Sequence, residues 1–194
     1  MAKLYFRYGA MGSSKTANAL MVNYNYYERG SNPILLKPKL ENRDGDTIIK
    51  SRIGLQAECS FVEDFIDQIG TDWEMAKKYD AIIVDEAQFL TKEQVDWLSD
   101  IVDYADVPVI CYGLRTDFQS HLFTGSARLM EIADKIEEIR TVCWCGQKAA
   151  NNARIHDGKI VRDGAQVLMG GNESYVALCR KHFKLGMLSP KKED

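Results

Sequence analysis

Residues 3–16 read Lys3-Leu4-Tyr5-Phe6-Arg7-Tyr8-Gly9-Ala10-Met11-Gly12-Ser13-Ser14-Lys15-Thr16. The first six form a short strand. Gly9 to Lys15 form a glycine- and serine-rich turn, and residues 16–28 continue with Leu20, Met21, Tyr24 and Tyr27 at helical spacing before Arg29-Gly30 closes the run. The turn matches the phosphate-loop pattern G-x4-G-K-[ST], with Ser14 in place of the second glycine. A tight turn between strand and helix aims backbone N–H groups of Gly9, Ala10, Met11, Gly12, Ser13 and Ser14 at an anion, and the helix N-terminus adds its dipole. Lys15 reaches the β- and γ-phosphates in that pattern, and the Thr16 hydroxyl is the Mg²⁺ ligand. Serine at position 14 carries a cost if the backbone there needs positive φ. The same residues read more plainly as a turn that caps a helix; the strand before and the helix after favour the phosphate loop.

Outward from this unit, the chain alternates. Residues 33–37 carry Ile34, Leu35 and Leu36, a short buried strand. Residues 38–58 are polar and aperiodic, the pattern of a loop. Residues 61–79 are helical with a weak point at Gly70. Ala81, Ile82, Ile83 and Val84 form an apolar run ending in Asp85-Glu86, the signature of a strand buried on both faces. Thr91 opens a helix with a capping box to Gln94. Residues 108–112 are a strand, 125–135 a helix and 136–142 a strand. Strands alternating with helices predict a parallel sheet covered by helices, so the fold class is α/β. The pattern shifts near Thr141, and beyond it lie a hairpin around Asp157-Gly158 and a turn at Met169-Gly170-Gly171-Asn172. We therefore divide the chain into a nucleotide-binding unit at 1–140, a smaller unit at 141–183 and a flexible tail at 184–194.

An apolar strand that delivers Asp85 at its end resembles a Walker B element. In open α/β sheets ligands sit at that edge. Asp85 is placed for Mg²⁺ and Glu86 for a proton from the attacking nucleophile. Acids that merely cap the next helix are the plain alternative; the phosphate loop upstream favours the first reading.

Of five cysteines, Cys143, Cys145 and Cys179 lie close to one another or to His182 in sequence. Three thiolates and one imidazole complete a tetrahedral donor set for structural Zn²⁺; free cysteines in a small unit are the alternative. Cys59 and Cys111 read as core residues, and His121 and His156 as surface residues. The 194 residues carry 45% hydrophobic and 27% charged side chains with a formal charge of −3. That balance excludes a mainly disordered chain and argues against a protein whose main role is gripping nucleic acid. The apolar runs are too short for a transmembrane helix. Arg7 and the absence of a cleavage pattern exclude a secretory signal, so the expected location is the cytoplasm.

Together, the loop at residues 9–16, V-D-E-A-Q-F at 84–89, G-L-R-T-D-F at 113–118, the C-x-C pair and G-G-N-E-S-Y…C-R-K-H at 170–182 resemble bacterial type II, zinc-containing thymidine kinases over nearly the whole chain. The resemblance implies a RecA-like domain with a zinc ribbon whose lasso loop covers the nucleoside. It implies transfer of a phosphoryl group from ATP to thymidine, and inhibition by thymidine triphosphate in a homotetramer. It places Glu86 as general base, Asp85 as Mg²⁺ partner and Gln88 near the nucleotide. Met11, Phe89, Leu114 and Phe118 become walls around thymine, and Tyr175 lies near the sugar. Gln166, Val167, Leu168, Met169 and Gly170 become a strand whose backbone reads the base edge. Arg154 matches a family arginine without an assigned role. Flat aromatic and methionine walls suit a pyrimidine, although Phe89 and Leu114 also fit plain core packing. Two other readings stand beside this one. A phosphate-loop ATPase could use the ribbon, with Arg154, Lys159, Arg162, Arg180 and Lys181, to bind nucleic acid or a protein. An inactive relative could bind nucleotide without turnover.

Overall fold

The computed structural model describes residues 1–40, 47–167 and 174–190 of the chain. Strand β1 (Leu4–Tyr8) runs into the phosphate loop and helix α1 (Lys15–Glu28), and β2 (Pro33–Lys37) comes next. A hairpin of β3 (Ile48–Lys50) and β4 (Gln56–Glu58) leads to β5 (Ser60–Phe61), α2 (Val62–Ile69) and α3 (Trp73–Ala76). Then come β6 (Ala81–Val84), α4 (Lys92–Asp100), β7 (Val109–Gly113), α5 (Thr124–Ile132) and β8 (Lys135–Glu138). Six of these strands form one sheet in the order β5-β2-β6-β7-β1-β8, and every pairing in it is parallel. The expected α/β architecture is present.

The sheet has an apolar layer on each face, because successive strand residues point to opposite sides. Ile82 and Val84 of β6, Leu4 and Phe6 of β1, and Val109 and Cys111 of β7 join Phe65, Val95, Leu98 and Leu129 from α2, α4 and α5. Ile83, Ile110 and Tyr112 face the other way, onto Ala19 and Leu20 of α1. All four β6 side chains are fully buried, which accounts for its unbroken apolar run. Each large apolar side chain in these layers contributes on the order of 1.5–3 kcal/mol by leaving water.

The helix at 61–79 is broken where glycine weakens it. Gly70 adopts φ 55°, its carbonyl accepts from the Trp97 indole at 2.8 Å, and α3 starts afresh. The capping box at Thr91 and Gln94 is formed in both directions. Beyond α4 the chain widens into a π-helical turn at Ile101–Ala105 that buries Ile101, Val102 and Ala105.

Three expectations need correction. Residues 38–58 are not all loop, since β3 and β4 pair antiparallel through Ile49 and Ala57. Each strand has three residues and only Ile49 is buried, too little to show a period in sequence. Residues 136–142 are not one strand. β8 ends at Glu138 in the large sheet, and β9 (Thr141–Val142) pairs with β10 (Lys148–Ala149) in a separate hairpin. Strand β11 (Asn151–His156) then pairs with β12 (Lys159–Ile160) and β13 (Ser174–Leu178), and α6 (Arg180–Leu185) is the final helix. The turn between β11 and β12 holds Asp157 at φ 48° and Gly158 at φ 71°, the left-handed pair that a two-residue hairpin needs. Residues 184 and 185 belong to α6, and Leu188 packs on the small core formed by β10, β11, β13 and α6, so the tail is shorter than the sequence suggested. Residues 191–194 lie outside the described residues.

Replacing Thr91 by alanine removes the side-chain half of the capping box and leaves the Gln94 N–H without its acceptor. We expect a loss of about 1 kcal/mol in stability, read as a lower denaturation midpoint with unchanged slope. An unshifted midpoint would mean that α4 is held by its packing alone.

Candidate active site

Three loops leave the carboxyl ends of three neighbouring strands. The phosphate loop succeeds β1, Asp85-Glu86 succeeds β6, and residues 114–118 succeed β7, which lies between the other two. In the phosphate loop, Gly9 is buried. A Cβ there would stand 2.3 Å from Ser13 Oγ and 2.4 Å from the Ile139 carbonyl oxygen, so only glycine fits. Gly12 lies at φ 76° and Ser14 at φ 60°. The missing glycine is thus a left-handed serine, a strain on the order of 1 kcal/mol. The Ser14 carbonyl accepts from Asn18 N at 2.9 Å and starts α1. Lys15 folds over the loop, its Nζ 2.9 Å from the Ala10 carbonyl and 3.2 Å from Ser13 Oγ. Burial lowers its pKa against the pull of Glu86 and Asp85.

Asp85 is 4% exposed. Burial first, then repulsion from Glu86, pushes its carboxyl up to about 7, against a hydrogen bond from the Thr16 hydroxyl and the charge of Lys15. Glu86 sits at φ 52°, so the chain turns sharply directly after Asp85. Thr16 and Asp85 together offer hard oxygen donors of the kind Mg²⁺ takes.

Gln88 lies between the acidic pair and the β7 loop. It is 2% exposed. Its Nε2 donates to Glu86 Oε2, and its Oε1 accepts from Leu114 N at 3.0 Å. The side chain fastens the acidic pair to the β7 loop, with Gly113 close against it: a Cβ there would meet Gln88 Oε1 at 2.9 Å. Gly125 lets α5 approach the same turn, where a Cβ would stand 2.4 Å from the Ala87 carbonyl oxygen.

Among the expected walls, Phe118 is buried, Phe89 and Leu114 are half-buried, and Met11 is half-buried within the phosphate loop. Phe89 meets Phe123 edge to face, with centroids 5.8 Å apart. Tyr175, on β13, accepts through its hydroxyl from Arg154 Nε at 2.7 Å. Gln166 Nε2 donates to Asp117 Oδ2 at 2.9 Å. Gln166 and Val167 carry no strand pairing, contrary to expectation. Leu168, Met169 and Gly170 lie outside the described residues.

Sequence reasoning missed the polar residues that join these parts. Asn152 accepts from Met11 N at 2.8 Å and donates to the Thr116 carbonyl at 2.9 Å. Asp117 Oδ1 accepts from the N–H groups of Gln119 and His121. Arg154, noted without a role, is 1% exposed and lies 3.8 Å over the Phe118 ring. Their only sequence signal is a polar residue inside a stretch otherwise able to pack, and that signal is weak without the partner positions.

Cys143, Cys145, Cys179 and His182 come together, with ligand atoms within 4.8 Å of one another. Cys145 Sγ and Cys179 Sγ are 3.9 Å apart, and His182 Nδ1 is 3.5 Å from Cys143 Sγ and 3.3 Å from Cys179 Sγ. Bonds of about 2.3 Å on a tetrahedron separate sulfurs by roughly 3.8 Å, so the donor set fits zinc. The C-x-C spacing reaches because Gly146, at φ 81°, turns the β9–β10 hairpin tightly enough for Gly146 N to bond the Cys143 carbonyl at 2.9 Å. Burial opposes ionisation of Cys143. The N–H groups of Cys145 and Cys179 and the His182 ring outweigh it and bring the thiol to about 6. Trp144 stacks on His182 at 4.2 Å. Cys111 is buried, which pushes its thiol up to about 12, and Cys59 is half-buried. His121 and His156 are exposed.

The chain matches a family model described as thymidine kinase over residues 2–183. It is 46% identical to a thymidine kinase of Shewanella oneidensis across 95% of this chain and 97% of that protein. It is 47% identical to one of Novosphingobium aromaticivorans across 96% and 99%, and 44% identical to one of Streptococcus gordonii across 94% and 96%. Among solved structures, a replication initiator DnaA bound to AMPPCP and single-stranded DNA is similar across 72% of this chain and 41% of its own, at 17% identity and a TM-score of 0.46. That likeness is too remote to bear on function.

Removing metal with a chelator should raise amide hydrogen exchange first in β9, β10, the start of β11 and α6, while β1, β6 and β7 stay protected. Equal protection of both regions after metal removal would sink the structural zinc site.

Proposed function

The chain belongs to the thymidine kinase family, and from that premise we propose that it transfers the γ-phosphoryl group of ATP to the 5′-hydroxyl of thymidine, giving thymidine 5′-monophosphate and ADP. The observation that carries this reading is the Gln88 bridge. One buried amide binds Glu86 on one side and the Leu114 N–H on the other, so the carboxylate that would take the proton is held in register with the wall that would hold the nucleoside.

The residues then divide the work. The N–H groups of the phosphate loop and the α1 N-terminus receive the phosphates, and Lys15 turns from its own loop carbonyl to the β- and γ-oxygens. A magnesium ion held by Thr16 and Asp85 would neutralise charge on those oxygens. Glu86 accepts the proton of the 5′-hydroxyl, which leaves the oxygen free to attack the γ-phosphorus in line with the departing ADP oxygen. Met11, Phe89, Leu114 and Phe118 pack against the thymine. The backbone from Gln166 onward is the expected partner for the base edge, because a buried edge left unpaired costs about 1–3 kcal/mol per group. Cys143, Cys145, Cys179 and His182 would hold a structural zinc ion, which would cross-link the 141–183 unit to itself. Deoxyuridine as a second acceptor, feedback inhibition by thymidine triphosphate, a homotetramer and a cytoplasmic location are parts of this proposal. Among the described residues no helix is long and apolar enough to cross a membrane.

Product analysis with ATP, Mg²⁺ and thymidine, with cytidine and deoxyguanosine as controls, tests the reading. Thymidine monophosphate formed from thymidine, with no product from the controls, is the expected result. No product from any nucleoside, with ATP binding intact, would overturn it. Glu86→Gln should fold and bind ATP and lose kcat by roughly a hundredfold to ten-thousandfold. Near-normal turnover would remove Glu86 from the role of base.

A further inference from the structure

Arg154 lies on β11, two residues from Asn152, so both side chains leave the same face of the strand while Ala153 enters the small core behind it. The guanidinium is 1% exposed and engages through each of its nitrogens. Nε donates to the Tyr175 hydroxyl at 2.7 Å, Nη1 donates to the Ala165 carbonyl at 2.9 Å, and Nη2 donates to the Gln166 carbonyl at 3.1 Å. Its central carbon rests 3.8 Å from the centre of the Phe118 ring. The neighbouring segment is gripped by the same unit: Asn152 holds the Thr116 carbonyl and Gln166 holds the Asp117 carboxylate. Residues 116, 117 and 118 are thus tied in turn to residues 152, 166 and 154.

We propose that Arg154 is the positioning residue of the nucleoside site, setting the separation between the Phe118 ring on one side and the Gln166 backbone and Tyr175 on the other. This rests on the thymidine kinase reading above. A planar base bound between an aromatic wall and backbone groups needs that separation fixed to a fraction of an ångström. The rigid fork of one arginine does this by engaging both sides at once. Lysine cannot: its single ammonium has no plane to stack on Phe118 and cannot reach two carbonyls and a phenol in fixed directions. The effect falls on thymidine and not on ATP, because none of these four contacts involves the phosphate loop.

The test compares wild type, Arg154→Lys, Tyr175→Phe and the double variant in steady-state kinetics with each substrate varied in turn. For Arg154→Lys the KM for thymidine should rise about tenfold or more, as expected from losing at least one charge-assisted hydrogen bond, with the KM for ATP within about twofold of wild type. Tyr175→Phe, which keeps the ring, should raise the thymidine KM by a smaller factor. The double variant should be no worse than Arg154→Lys, because the two groups share one contact. Equal changes in both KM values, or a lower melting temperature with both KM values unchanged, would reduce Arg154 to a structural residue and overturn the inference. If Arg154→Lys does not fold, Tyr175→Phe alone decides: a raised thymidine KM with an unchanged ATP KM supports the inference, and an unchanged thymidine KM overturns it. A wild type that forms no thymidine monophosphate overturns the proposed function instead, and is recognised before any variant is measured.

Discussion

The parallel pairing of β6, β7 and β1 sets the spacing of loops that lie far apart in sequence. In register, Val84 stands opposite Cys111, and Tyr8 opposite Gly113. The three strands therefore end nearly level, and their outgoing loops emerge onto one edge. Parallel strands must be joined by crossovers that return to the same end, so every catalytic loop of such a sheet arrives at the same side. Once the apolar layers on both faces hold the strands, the phosphate loop, the acidic pair and the 114–118 segment have little freedom left. The remaining adjustment is made by contacts that only small or bifunctional residues allow. Gly9, Gly113 and Gly125 each admit a close approach that a methyl group would block, and Gln88 bonds two loops with one amide.

This edge is also where charge is kept away from water. Asp85 is buried next to Glu86, and Lys15 bonds the loop carbonyl while both acids attract it. Desolvation acts in opposite directions on the two kinds of group, raising the aspartate and lowering the lysine. Both shifts disfavour the charged forms in the absence of a partner, so the site favours a ligand that brings compensating charge of each sign. A polyphosphate accompanied by a divalent cation is such a ligand. The left-handed backbone at Ser14 and Glu86 adds local strain at two places where the chain must turn sharply. The first turn leads directly into Lys15, and Gln88, which ties the acidic pair to the β7 loop, lies two residues after Glu86.

The sequence disclosed the parts whose cause is local. A glycine-rich turn between a strand and a helix, an apolar run ending in two acids, a capping box at Thr91 and an Asp-Gly hairpin each arise from a few adjacent residues, and each is present. The cysteine set was also legible, because metal ligands are chemically distinctive and Gly146 after the pair permits the tight turn. Contacts between distant residues were not legible. Asn152, Gln88 and Asp117 are ordinary polar residues until their partners at Met11, Leu114 and Gln166 are known, and nothing in the spacing of 152 and 11 links them. The β3–β4 hairpin escaped for another reason: one buried isoleucine in three residues is below the length at which alternation becomes visible. The split at 136–142 escaped because a strand that changes sheets keeps its extended pattern while its pairing partners change.

The 141–183 unit is best understood through its middle strand. β11 pairs with β13 so that Asn151 stands opposite Leu178, one residue before the ligand Cys179, and Arg154 opposite Tyr175. A metal cross-link at the cysteine end would fix the register of this pair, and a slip of one residue would turn Asn152 and Arg154 to the opposite face. Asn152 would then leave Met11 N and the Thr116 carbonyl without their partner, and the guanidinium would leave Phe118. The four metal ligands sit at the Asn151 end of the pair, and among the described residues no hydrogen bond joins their side chains to the phosphate loop or the acidic pair. Any influence of a bound metal on the site would therefore run through register. A structural metal is suited to this because its bonds are directional and its donor set has no position left for a substrate. Bound there, it would serve the proposed chemistry by helping to place two side chains, Asn152 and Arg154.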